Sequence, residues 1–114
     1  MSWRRICAAD SVAERSLKKF EVDGIPLIIA NYGGGFRAFP PICPHMEEPL
    51  EESGLIEGQV LTCTKHLWQW DLISGEPVAP GENDRCMLMY DTKVDGSDVM
   101  VNIERELEYD FDDD

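Results

Sequence analysis

The sequence predicts an all-β fold, a small antiparallel sandwich or barrel with one loop-rich insertion. Three observations predict it. Gly, Pro and Asp-Gly turn signals recur about every eight to twelve residues. The runs between them are short and either apolar or alternating. Helical periodicity is scarce: Ser11-x-x-Glu14 resembles a capping box, yet only one or two turns fit before the next strand. With 114 residues the chain fits one domain, 1–114.

The strands are expected at 3–7, 17–22, 27–32, 36–39, 60–63, 68–72, 86–90, 92–94 and 99–103. Asp23-Gly24 has the chemistry of a tight hairpin between the second and third strands, and Asp95-Gly96 precedes the last. Gly33-Gly34-Gly35 joins the third and fourth. No helix follows it, so it reads as a turn and not as a phosphate cradle. In the final strand Val99, Val101 and Ile103 share one face. Residues 46–53 are polar with Pro49 among them, which predicts a loop or a single turn. Trp3 and Trp70 read as packing residues, and Cys7 and Cys86 as small buried hydrophobes within strands.

Charge narrows the function. The net charge is −13, which argues against nucleic acid and against anionic membrane surfaces as partners. Residues 1–20 hold five basic and two acidic side chains, whereas the last eleven, 104–114, hold seven acidic and one basic. Such a tail is expected to be a solvated, frayed end or, as the alternative, an electrostatic handle for a basic partner. The longest apolar stretch, 25–30, contains Pro26 and is far short of the ~20 residues of a membrane span. The opening MSWRRICAADSVAER lacks the apolar centre of a signal peptide, so a cytoplasmic location is expected.

Residues 40–82 differ in kind. They are rich in Pro and Gly and hold most of the reactive side chains, and a long insertion of that sort is usually functional. Two motifs stand in it, Cys43-Pro44-His45 and Cys63-Thr64-Lys65-His66, with seventeen residues between His45 and Cys63. In a reducing compartment these cysteines favour metal binding over disulfides. A single Zn²⁺ in a Cys₂His₂ site is one possibility. Each motif, however, supplies one Cys and one His in the same order. That symmetry suits a two-iron cluster with both cysteines on one iron and both histidines on the other.

C-x-H, a gap of about 15–17 residues and C-x-x-H resemble the Rieske signature. The run CPHMEEPLEESGLIEGQVLTCTKHLWQWDLISGEP is similar to Rieske ferredoxins, and the strand pattern extends the likeness along the whole chain. The resemblance implies a Rieske fold and one [2Fe–2S] cluster held by Cys43, His45, Cys63 and His66. His-Leu-Trp after the second cysteine is most similar to ferredoxins of diiron aromatic and alkene monooxygenases. The alternative is a ferredoxin of a ring-hydroxylating dioxygenase.

The implied role is that of a one-electron carrier and not an enzyme. It would pass electrons from an NADH-dependent reductase to the hydroxylase component of an oxygenase, as a monomer when free. Two ferric ions, two sulfides and two thiolates sum to no net charge, so the cluster accepts an electron more readily than an all-cysteine one. High-potential members of the family carry a disulfide beside the cluster and Ser and Tyr hydroxyl donors. The matching positions here are Glu48, Lys65, Trp68 and Trp70, which implies a low potential within the Rieske range. Loops 44–49 and 76–81 would shield the cluster. Met46, Trp68 and Pro80, with acidic Glu47, Glu48, Glu51 and Glu52 around them, would form the docking rim.

Overall fold

The computed structural model describes residues 3–43, 49–65, 67–79 and 86–109. The strands are β1 (Trp3–Ala8), β2 (Ser16–Val22), β3 (Ile25–Asn31), β4 (Phe36–Phe39), β5 (Gly54–Glu57), β6 (Val60–Cys63), β7 (Trp68–Asp71), β8 (Pro77–Ala79), β9 (Asp91–Asp95) and β10 (Asp98–Asn102). One helical turn, α1 (Leu50–Ser53), precedes β5. Among the described residues the strands form three antiparallel sheets, ordered β1-β10-β9, β2-β3-β4 and β5-β6-β7-β8, and no helix is long and apolar enough to cross a membrane. The all-β expectation holds.

Strand β3 explains how these sheets share a core. Its run Leu27-Ile28-Ile29-Ala30 is wholly buried, because successive side chains point to opposite faces and both faces are covered. Leu27 and Ile29 pack with Cys7, Val99, Val101 and Tyr90. Ile28 and Ala30 pack with Phe39, Leu61, Trp70 and both motif cysteines. The central sheet is therefore a wall between two cores, and only one of them adjoins the motifs. Pro26 fits within β3 because it pairs with Glu21 on one side alone: β4 begins its pairing at Ile28.

Turn chemistry sets the registers. Asp23 and Gly24 both take positive φ (54° and 80°), as the expected tight hairpin requires. The Gly33–Gly35 run turns β3 into β4. Val99 and Val101 on β10, and Ile103 just beyond it, are buried on one face as expected.

Several expectations need correction. Residues 86–90 form no strand; only Tyr90 bridges to Ala38. The Met87 N–H donates to the Gly75 carbonyl and the Leu88 N–H to a phenol, Tyr109, so a ladder is not needed to satisfy them. Cys86 is consequently exposed and not a core hydrophobe, whereas Cys7 is buried as expected. The Ser11-x-x-Glu14 segment forms no helix after Ser11: a 3-10 turn ends there, and Ser11 Oγ donates back to the Ala8 carbonyl. Strands β5 and β8 are additions. Gly54 opens the first and Pro77 the second, both residues that argue against a strand by propensity.

Candidate metal centre

The first motif is aimed by a rigid lead-in. Pro40 and Pro41, both buried, carry the chain from the end of β4 to Cys43 with fixed φ. Ile42 forms a β-bridge to Pro49, and the Leu50 N–H donates to the Pro41 carbonyl at 3.1 Å. The base of the loop is thus closed on both sides of 43–48. His45, Met46, Glu47 and Glu48 lie outside the described residues.

The second motif is a hairpin between β6 and β7. Cys63 pairs with Trp68 across the ladder and with Gly54 on the other side. The Leu67 N–H donates to the Cys63 carbonyl at 2.7 Å, closing the turn that carries position 66. His66 itself lies outside the described residues, as does Pro80. Gly54 is required by close approach: a Cβ there would stand 2.7 Å from the Leu50 carbonyl oxygen and 2.8 Å from Leu17 Cδ2. Thr64 fastens the hairpin to α1, with its N–H and its hydroxyl both donating to the Ser53 carbonyl.

The two loops bring Cys43 and Cys63 into one packed group with Ile28, Leu61, Trp70 and Met87. Both side chains are fully buried and neither is in a disulfide. A pair of unbridged thiols inside an apolar group fits soft-metal ligation: as thiolates without a cation they would be unstable there. The cysteine half of the expected donor set therefore fits an iron–sulfur cluster. Among the described residues no three metal-ligating side chains converge, the two histidines being outside them.

Trp70 is a fully buried core residue and Trp68 is half-buried, packing on the same core with its ring 6.5 Å from that of Trp70. Leu67 precedes Trp68 at the end of the turn. It is 68% exposed, with φ at +62°, a conformation costly for a branched residue.

The C-terminal segment also holds a surprise. Of the tail 104–114, for which the composition predicts fraying, residues 104–109 are anchored by two reciprocal hydrogen bonds, and 110–114 lie outside the described residues. The Leu107 N–H donates to the Tyr90 hydroxyl at 2.9 Å, and the Leu88 N–H donates to the Tyr109 hydroxyl at 2.8 Å. Burial pushes the Tyr109 phenol well above the usual tyrosine range; the Leu88 N–H opposes this, and the negative charge of a Cys43 thiolate adds to it. Burial likewise raises Tyr90, aided by Glu106 and Glu108 and opposed by the Leu107 N–H. The signal was present in the sequence as the alternation Glu106-Leu107-Glu108-Tyr109, which the acidic composition masked.

Residues 2–102 match the Rieske [2Fe–2S] domain. The chain is 52% identical, over 97% of its length and 89% of the relative's, to a methanesulfonate monooxygenase ferredoxin subunit from Methylosulfonomonas methylovora. It is 30% identical, over 87% and 80% respectively, to the ferredoxin component of an alkene monooxygenase system from Xanthobacter autotrophicus. Among solved structures it is similar to a chain in a complex of reduced oxygenase and oxidised ferredoxin of carbazole 1,9a-dioxygenase. The TM-score is 0.78 at 26% identity, covering 93% of this chain and 97% of that one.

Proposed function

The chain belongs to the Rieske [2Fe–2S] family, and from that premise we propose that it is the ferredoxin of a monooxygenase system. It carries single electrons from an NADH-dependent reductase to the oxygenase component and performs no substrate chemistry itself. The observation that carries this reading is the burial of two unbridged thiols, Cys43 and Cys63, in one core at the ends of the two matched motifs.

In this reading Cys43, His45, Cys63 and His66 hold one [2Fe–2S] cluster, cysteines on one iron and histidines on the other. The cluster supplies a reversible one-electron change. The chain's residues exclude water from the cysteine side, through Leu61, Trp70 and Met87. Four unbridged thiols suit a reducing compartment, so the protein works in the cytoplasm, as a monomer when free.

The oxygenase partner is read from the relatives. The His-Leu-Trp run pointed to diiron monooxygenases of aromatic or alkene hydrocarbons, and the alkene monooxygenase ferredoxin supports that reading. The greater likeness to the methanesulfonate monooxygenase ferredoxin favours a partner that oxidises a small alkylsulfonate. A dioxygenase partner is the second reading, supported by the carbazole dioxygenase likeness.

Reconstitution tests this. The purified protein is added to the reductase and hydroxylase of a methanesulfonate monooxygenase, of an alkene monooxygenase or of a carbazole dioxygenase. Substrate-dependent NADH consumption is expected to be fastest in the first. Absence of coupling in all three would overturn the reading.

A further inference from the structure

Resting on the reading of Cys43 as a cluster ligand, we propose that Tyr109 is a positioning residue for the metal centre. Its side chain straps the lead-in of the first ligand loop, Pro40 to Ile42, to Leu88, and so holds Cys43 in place.

Residues 104–109 carry Glu104, Glu106 and Glu108 on a chain of net charge −13, so self-repulsion favours release. Something specific must hold the segment down, and the two phenols do. A tyrosine of the body, Tyr90, takes an N–H from the segment, while a tyrosine of the segment, Tyr109, takes an N–H from the body. Leu107 adds apolar contact with the core away from the motifs. The result is one strap with two fasteners.

The second fastener lies where it matters. Leu107 and Tyr109 line one groove with Pro40, Pro41 and Ile42, the residues that deliver the chain to Cys43. Leu88 directly follows Met87, which packs in the same core as both motif thiols. Tyr109 therefore spans two segments that both end at the ligand-bearing core. On the far side of the loop the Ile42–Pro49 bridge already fixes the base. The strap closes the near side.

Tyr109→Phe keeps the ring and removes the acceptor of the Leu88 N–H, while Tyr109→Ala removes both. Val101→Ala, in the core away from the motifs, serves as a control for general destabilisation. Each protein is assayed with its cluster, below its melting temperature. The readouts are bleaching in the presence of an iron chelator, the midpoint potential and the EPR g values of the reduced state. Tyr109→Phe is expected to bleach about five- to tenfold faster, the equivalent of one lost hydrogen bond to a half-buried N–H. Tyr109→Ala is expected to bleach faster still, and both are expected to shift the g values and the potential. Val101→Ala should lower the melting temperature with wild-type g values and potential. A coloured wild type alongside Tyr109 variants with unchanged bleaching, g values and potential would overturn the strap alone. A colourless wild type would overturn the ligand reading and the strap with it.

Discussion

The carbonyl of Ser53 accepts two hydrogen bonds from one residue, Thr64: from its N–H at 2.8 Å and from its Oγ1 at 2.8 Å. Ser53 ends the helical turn that follows the first motif, and Thr64 is the residue after Cys63. The pair thus joins the exit of one motif to the start of the other. Thr64→Val keeps the shape and the backbone bond but loses the hydroxyl. It is expected to lower stability by about 1 kcal/mol, with Thr64→Ser restoring most of that. Thermal melting of the three proteins checks it.

A second expectation concerns pH. Asp71 accepts from the Ile73 N–H at 2.7 Å, the Gln59 amide at 3.1 Å and the Ser74 N–H at 3.3 Å, which together fix the turn after β7. The Ile73 N–H foremost, then the Gln59 amide, hold its carboxyl below the usual range; Ser74 and Arg37 act in the same sense, against a contribution from burial. A depressed carboxylate stabilises the fold above its unfolded value of about 3.9, and the stabilisation is lost as pH falls through the lower folded value. Between pH 5 and 2, about the range over which such a group is lost, the melting temperature of the wild type should fall more steeply than that of Asp71→Asn. Parallel pH profiles would show that the turn does not depend on the charge.

The sequence disclosed both motifs and most strands because their signals are local. Asp23-Gly24 needs no partner to specify a hairpin, and Val99, Val101 and Ile103 alternate whatever covers them. What it hid depends on distant contacts. Strand β5 opens on Gly54, a poor strand former, yet Gly alone fits against the Leu50 carbonyl and Leu17. Residues 86–89 have strand-like composition, but the N–H groups of Met87 and Leu88 go to Gly75 and Tyr109. Tyr109 itself lies in a segment whose acidity outweighs its alternation. Local charge statistics cannot see a phenol that reaches Leu88, twenty-one residues earlier.

The potential should lie at the low end of the Rieske range, at roughly −200 to −50 mV. Neither Cys43 nor Cys63 is in a disulfide, Cys7 packs in the other core and Cys86 is exposed, so no disulfide flanks the two motifs. Trp68 and Trp70, which stand where hydroxyl donors stand in high-potential relatives, present rings 6.5 Å apart instead. Without a serine or tyrosine hydroxyl at these positions the reduced state is less stabilised. Voltammetry returning a value above about +100 mV would show that another device raises it.

The last expectation concerns docking, and it moves the apolar anchor from Trp68 to its neighbour. Trp68 is half-buried against Trp70 and the ligand-side core, so much of its area is already spent on packing. Leu67 is 68% exposed, sits beside position 66 and occupies a left-handed φ that glycine would adopt without strain. Leu67→Gly removes the backbone strain and adds chain entropy to the unfolded state, two effects of about 1 kcal/mol that oppose each other. Stability should therefore stay near wild type. Electron transfer to the oxygenase should nonetheless slow by about tenfold, since burying part of a leucine on docking contributes on the order of 1.5 kcal/mol. Steering charge behaves differently. Glu51 is engaged with Lys19 at 3.7 Å, whereas Glu52 is exposed on the same turn. Glu52→Lys should slow association at low salt and lose that effect as the Debye length shrinks to about 3 Å near 1 M salt. Stopped-flow reoxidation by the oxygenase across a salt series separates the two: a salt-independent loss for Leu67→Gly, a salt-dependent one for Glu52→Lys. Wild-type rates for both would place the docking face away from the second motif.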